Sequence, residues 1–150
     1  MSAAREVTIL IAEDDAGHAR LIEKNLTRAG LHNQILRFED GQAILDFLHR
    51  RGTPQRAREA PYLLLLDIRM PRVDGVEVLR QVKNDPELRK IPVIMLTTTD
   101  DPREVARCHD IGCNSYIVKP VDYEKFAEAI RNLGLYISLI QFPYINSGTE

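Results

Sequence analysis

Five times along the chain a short apolar run is followed by a segment with helical spacing. Residues 7–12 are almost continuously apolar and stop abruptly at Glu13, Asp14 and Asp15, as a strand buried on both faces of a parallel sheet does. Ala19, Ile22, Leu26 and Ala29 then recur at intervals of three and four. This predicts a helix over 16–29, with Gly30 in the C-terminal capping position. Residues 34–38 read as a second strand, and 41–51 as a helix that buries Ala43, Ile44, Phe47 and Leu48. The turn-rich stretch 52–60 reads as an exposed loop.

Residues 62–66 form the most apolar run and end on Asp67, and 76–82 repeat apolar residues at helical spacing. A fourth strand, 91–96, ends on Thr97, and a helix is expected from about Pro102, a residue suited to a first helical turn. A short fifth strand, 115–118, ends on Lys119 and Pro120. The last helix is expected to start near Asp122 and run beyond Leu133. Strict strand–helix alternation implies an α/β fold, a doubly wound (βα)5 unit with an open parallel sheet, helices on both faces and right-handed crossovers. The strand order adopted is the flavodoxin-like 2-1-3-4-5, one of the two common doubly wound orders.

Composition narrows the class. At 150 residues, 44% hydrophobic and 28% charged, the chain suits one globular domain, with a core over about residues 6–133 and an extension over 134–150. Net charge is −2, and the 20 basic residues are scattered, which argues against direct nucleic-acid binding. Cys108 and Cys113 form neither a CxxC pair nor a zinc ligand set. With no apolar stretch long enough for a signal core or a membrane span, a reduced, cytoplasmic setting is expected.

The candidate chemistry lies at the strand ends. Glu13 and Asp14 follow the first strand, Asp67 the third, Thr97 the fourth and Lys119 the fifth. In open α/β sheets, ligands bind beyond the carboxyl ends of the strands, where strand order reverses. Three carboxylates there repel, at about 5 Å and an effective dielectric near 20, by on the order of 3 kcal/mol per pair. Lys119 supplies one positive charge, and a hard divalent cation, Mg²⁺, is the natural second partner. Such a site suits phosphoryl transfer with Asp67 as nucleophile, Lys119 and the metal holding phosphoryl oxygens and Thr97 donating a hydroxyl hydrogen bond. Asp15 sits where the N-cap of the first helix belongs, so Glu13 and Asp14 are the preferred metal ligands.

These motifs together resemble a known family: Glu13-Asp14-Asp15 after its apolar run, Leu66-Asp67-Ile68-Arg69-Met70-Pro71 with Asp74-Gly75, Met95-Leu96-Thr97-Thr98, and Tyr116-Ile117-Val118-Lys119-Pro120. In this order and at these intervals, over residues 6–133, they are similar to response-regulator receiver domains. The resemblance implies transfer of a phosphoryl group from a phosphohistidine of a sensor histidine kinase to Asp67. It implies Mg²⁺ held by Asp14, Asp67 and the main-chain carbonyl of Arg69, with Glu13 acting through a metal-bound water. It implies that Thr97 and Tyr116 form a switch pair, although Tyr116 reads equally well as ordinary core or surface. The Lys119–Pro120 bond is typically cis in that family, an isomer that the sequence by itself does not show. Such a protein is no enzyme in the ordinary sense, catalysing only its own phosphorylation and dephosphorylation. Arg69 and Thr99 fall where the family tunes dephosphorylation.

The loop 52–61 and the stretch 132–136 resemble single-domain regulators that partner phytochrome-type histidine kinases, with output by protein contact or a phosphorelay step. A homodimer through the last helix and the extension is expected, because Leu135, Tyr136 and Leu139 lie off the core stripe and Phe142 and Tyr144 follow. The tail folding back on its own domain is the competing reading. His18, His32, His49 and His109 have no ligand or catalytic spacing and receive no role. An aspartyl-nucleophile phosphatase would carry a second Asp at position 69, where this chain has Arg. A pseudo-receiver would normally lack Asp67, Lys119 or an acid, and nucleotide-binding glycine loops are missing.

Overall fold

Alternate residues of the apolar runs point to opposite faces of one sheet, and this division builds the whole domain. The computed structural model describes residues 7–145; residues 1–6 and 146–150, the outer ends of the expected domain and extension, lie outside the described residues. Five parallel strands, β1 (Thr8–Ala12), β2 (Ile35–Phe38), β3 (Ala60–Leu66), β4 (Val93–Thr97) and β5 (Ser115–Val118), run in the order β2-β1-β3-β4-β5. Between and after them lie α1 (Ala16–Arg28), α2 (Gly41–Leu48), α3 (Gly75–Asn84), α4 (Pro102–Ile111) and α5 (Tyr123–Ile137).

Leu10, Ala12, Leu64, Leu66, Val93 and Met95 form one core layer with Ile44, Leu48, Val78, Leu79 and Cys108 of α2, α3 and α4. Their sequence neighbours Ile9, Ile11, Leu63, Leu65, Ile94 and Leu96 pack on the other side against Ile22 and Leu26 of α1 and Phe126, Ile130 and Ile137 of α5. Each helix begins at an aspartate whose carboxylate accepts an N–H of the first turn: Asp15, Asp40, Asp74, Asp101 and Asp122. Gly30, at φ 98°, ends α1 in the left-handed region expected of a C-terminal cap.

Four local features differ from the sequence expectation. The second helix stops at Leu48 rather than near residue 51, because Arg51 turns back to Asp46 and the chain reverses through Arg50 at positive φ. The loop that follows is not wholly exposed. Arg56 is buried, its guanidinium donating to the Leu48, Ala57 and Arg58 carbonyls, so it satisfies the open end of α2. A 3-10 turn, Leu88–Lys90, precedes β4. A sixth strand, β6 (Tyr144–Ile145), pairs antiparallel with Ala60 and Pro61 at the start of β3.

This last pairing revises the expectation for the extension. Phe142 and Ile145 are buried, so that part of the tail folds back on its own domain, leaving Leu135, Tyr136, Leu139 and Tyr144 exposed. No helix among the described residues is long and apolar enough to cross a membrane.

Candidate functional site

Register alone aligns the polar strand ends. Ala12 pairs with Leu66, Leu66 with Met95, and Thr97 with Val118, so the residues that follow emerge side by side at one edge of the sheet. The ladder continues one step into the loops. The Asp67 N–H donates to the Ala12 carbonyl at 3.0 Å, Glu13 N–H to Phe38 at 3.0 Å, and Lys119 N–H to Thr97 at 2.7 Å. Backbone bonds therefore locate these side chains before any of them interacts.

Glu13, Asp14 and Asp67 each bring one carboxylate oxygen to within 4.8 Å of the others. Glu13 is 1% exposed and Asp67 8%, while Asp14 faces solvent. Lys119, 4% exposed, ion-pairs with Glu13 and lies 3.5 Å from Asp67 Oδ2. Burial pushes the Glu13 carboxyl up to about 7, against the hydrogen bond and charge of Lys119. One ammonium thus leaves the acidic pocket short of positive charge, as a cation site of hard oxygen ligands does. Asp67 Oδ1 accepts the N–H of Ile68 at 2.8 Å, which fixes the carboxylate plane.

Thr97 is fully buried at the end of β4, and its hydroxyl finds no hydrogen-bond partner among the described residues. A buried hydroxyl left in this way costs about 1–3 kcal/mol, a cost that a ligand accepting its proton would remove. Tyr116, half-buried against the core layer of α2 and α3, donates its hydroxyl to the Thr99 carbonyl at 2.7 Å, and burial pushes its phenol up to about 12. It ties β5 to the loop directly after Thr97. Arg69 and Thr99 line an open cleft of about 600 Å³ beside Asp14, with Asp74 and Glu104 on its rim. Asp15 is drawn away from the carboxylate cluster, capping α1 through His18 N–H at 3.0 Å.

Two residues at the site carried no sequence signal, and a third, Gly75, stood in a motif without a role of its own. Arg37 at the end of β2 donates to the Glu13 carbonyl from Nε and Nη2, at 3.0 and 2.9 Å, and to the Asp14 carbonyl at 3.0 Å, bracing the turn that holds both acids. His18 Nδ1 lies 3.0 Å from Lys119 Nζ, so one of the four histidines set aside in the sequence belongs to the site. Gly75, at the start of α3, approaches the Asp67 backbone so closely that a Cβ would stand 2.0 Å from its carbonyl oxygen. The Lys119–Pro120 bond is one whose isomer the sequence leaves open. It is trans, the isomer that X–Pro bonds prefer by about 0.5–1 kcal/mol, and the cis bond among the described residues is Thr53–Pro54.

Comparison with known proteins gives the same picture. Residues 9–131 match the family described as response regulator receiver domain. A response regulator receiver domain from Rhodospirillum rubrum superposes with a TM-score of 0.87 at 49% identity, covering 93% of this chain and 99% of that one. The response regulator Rcp1 of Synechocystis is 33% identical over 136 residues, 90% of this chain and 92% of its own. Its Mn²⁺-bound crystal structure superposes at a TM-score of 0.82, with 27% identity over 92% and 99% of the two chains. The phosphorylated cyanobacterial phytochrome response regulator RcpA gives 0.81 at 27% identity over 91% and 97%. With a sheet of order 2-1-3-4-5, an acidic pocket at its carboxyl edge and a family match over most of its length, the chain belongs to the receiver domains of two-component response regulators.

Proposed function

We propose that Asp67 is the phosphoacceptor and that a sensor histidine kinase, of the phytochrome-coupled kind, is the donor. The observation that carries this reading is the gathering of three carboxylates within 4.8 Å of one another beside the Lys119 ammonium, with an unpartnered buried Thr97 hydroxyl at the same edge of the sheet. A structural ion pair needs one acid and one base; the excess of acids and the idle hydroxyl suit a ligand that brings both a cation and acceptor oxygens.

An oxygen of Asp67 forms the bond to phosphorus while the donor's P–N bond breaks, its electron pair remaining on the imidazole. Lys119 neutralises charge on the transferred group, and Thr97 Oγ1 donates to one of its oxygens. Glu13, Asp14, Asp67 and the main-chain carbonyl of Arg69 are the residues that would hold Mg²⁺, a hard ion that prefers oxygen ligands. When bound, the ion shields the repulsion between acids and phosphate. Tyr116 acts as the second half of the switch: its hydroxyl holds the loop at Thr99, so a pull on Thr97 from the phosphoryl group is felt along β5. The chain thereby changes only itself, and its output is a contact made by the altered surface.

The phytochrome connection draws on the likeness to RcpA. The exposed Leu135, Tyr136 and Leu139 at the end of α5 favour a homodimer through this helix and the extension, since apolar residues grouped in this way usually meet a partner. Net charge −2 without a basic face favours protein over nucleic acid as partner, and a cytoplasmic location goes with a kinase donor. The test is intact mass after incubation with Mg²⁺ and a small acyl-phosphate donor. One phosphoryl group is expected on the parent protein and none on Asp67→Asn; an unmodified parent would refute the reading.

A further inference from the structure

His18 sits in the first turn of α1, half-buried, with its ring edge-on to the buried Phe126 of α5 at 5.8 Å between centroids and 82° between planes. Its backbone N–H is taken by Asp15, so both ends of the residue are held. This leaves Nδ1 3.0 Å from Lys119 Nζ. An ammonium only donates, so this contact is a hydrogen bond when Nδ1 is the acceptor, and we assign the ring proton to Nε2 on that ground.

Lys119 has three protons to place. Glu13 Oε1 accepts one and His18 Nδ1 a second, which leaves the third, with Asp67 Oδ2 3.5 Å from Nζ and beyond a good hydrogen bond. We propose that His18 is a positioning residue for phosphoryl transfer: by accepting one ammonium proton, it stops Lys119 from turning and keeps another directed at the oxygens of the group arriving on Asp67. This rests on Asp67 being the acceptor. In the transfer, the Asp67 oxygen–phosphorus bond forms, the donor bond breaks with its electron pair on the leaving group, and negative charge spreads over three equatorial oxygens. A donor aimed there beforehand stabilises that charge without reorganising first. With His18 removed, the ammonium is divided between Glu13 and Asp67 and must be redirected during the reaction. Among the described residues, His18 makes no hydrogen bond to Asp67 or to the other two clustered carboxylates.

The experiment compares the parent chain with His18→Leu, which loses the acceptor, and His18→Gln, whose amide oxygen restores one. Initial rates are read by intact mass at saturating Mg²⁺ over a range of acetyl phosphate concentrations, with Mg²⁺ affinity from calorimetry and stability from thermal unfolding. His18→Leu should lower the maximal rate by about tenfold. Its half-saturating donor concentration and Mg²⁺ Kd should stay within about twofold of the parent, and His18→Gln should return to within about threefold in rate. Should His18→Leu lose its cooperative transition, His18→Phe, which keeps a ring against Phe126 without an acceptor, takes its place with the same expected rate. The proposal is overturned by a Leu variant as fast as the parent, by a Gln variant as slow as Leu, or by Mg²⁺ affinity falling in step with rate. A parent that takes up no phosphoryl group overturns the Asp67 reading as well, whereas a competent parent with an unaffected Leu variant overturns this inference alone.

Discussion

Replacing Gly75 by Ala adds one methyl group directly against the backbone of Asp67, the proposed phosphoacceptor. Its Cβ would lie 2.0 Å from the Asp67 carbonyl oxygen, 2.8 Å from the Asp67 carbonyl carbon and 2.8 Å from the Ile68 Cα. All three are backbone atoms, so no side chain can rotate aside. A Cβ needs at least about 3.0 Å, so the start of α3 and the end of β3 must part by about 1 Å, straining the 2.7 Å bond from Gly75 N–H to the Ile68 carbonyl. Overpacking of this size costs roughly 1–3 kcal/mol, a Tm loss of about 2–12 °C for a domain of this length. The kinetic effect is larger in proportion, because a 1 Å displacement of a reacting group lowers a rate by about a hundredfold. Initial phosphorylation rates at saturating Mg²⁺ and donor, paired with thermal unfolding, measure both. Gly17→Ala is the control: its Cβ meets only the Asp15 carboxylate oxygen at 3.2 Å, and alanine favours a helix, so rate and Tm should hold. If Gly75→Ala phosphorylates within threefold of the parent, the rigid seating of Asp67 inferred from the backbone is wrong.

Removing the Arg37 brace by Arg37→Ala should weaken Mg²⁺ binding by about tenfold while leaving Asp67 and its N–H bonds in place; calorimetry giving an unchanged Kd would show that the turn holds itself. Burial pushes the Cys108 thiol up to about 11 and raises Cys113 as well, so the folded state holds these protons more tightly than the unfolded chain. That contribution to stability is intact below about pH 9 and is lost as pH climbs toward about 11. At pH 8, a thiol reagent should therefore react slowly until denaturant is added, and rapid labelling of the native protein would contradict the burial. Leu139→Glu with Tyr136→Glu should shift a dimer to monomer in sedimentation without lowering Tm by more than about 2 °C, since both residues are exposed. Truncation before Phe142 should instead destabilise the domain, because it strips Phe142 and Ile145 from the core, each worth about 1.5–3 kcal/mol of burial. A truncated chain as stable as the parent would refute the docking of β6.

Local period and local chemistry made most of this molecule readable before its structure. The alternation 9, 11 against 10, 12 on β1, and 63, 65 against 64, 66 on β3, divides the core into its two layers because successive strand side chains point oppositely whatever the tertiary context. Asp15 and Asp122 mark the starts of α1 and α5 by satisfying their own first turns, and the polar ends of the apolar runs mark where each strand leaves the core. Once the strand order is given, equal register carries Glu13, Asp67, Thr97 and Lys119 to the same edge.

Tertiary structure decided what no local pattern encodes. His18 and Lys119 are 101 residues apart, and Arg37 reaches the Glu13 carbonyl from 24 residues away; such contacts have no period, and a lone His or Arg reads as a solvated charge until the sheet brings its partner within 3 Å. The stop of α2, the burial of Arg56 and the return of β6 onto β3 are also settled between segments, by unpaired carbonyls and an open strand end that need donors from elsewhere. The sequence by itself thus determined the five strand–helix units and the polar residues at their strand ends, since those follow from side-chain direction along the chain. Only the folded structure determined which of them touch, since contact follows from the packing of the whole sheet.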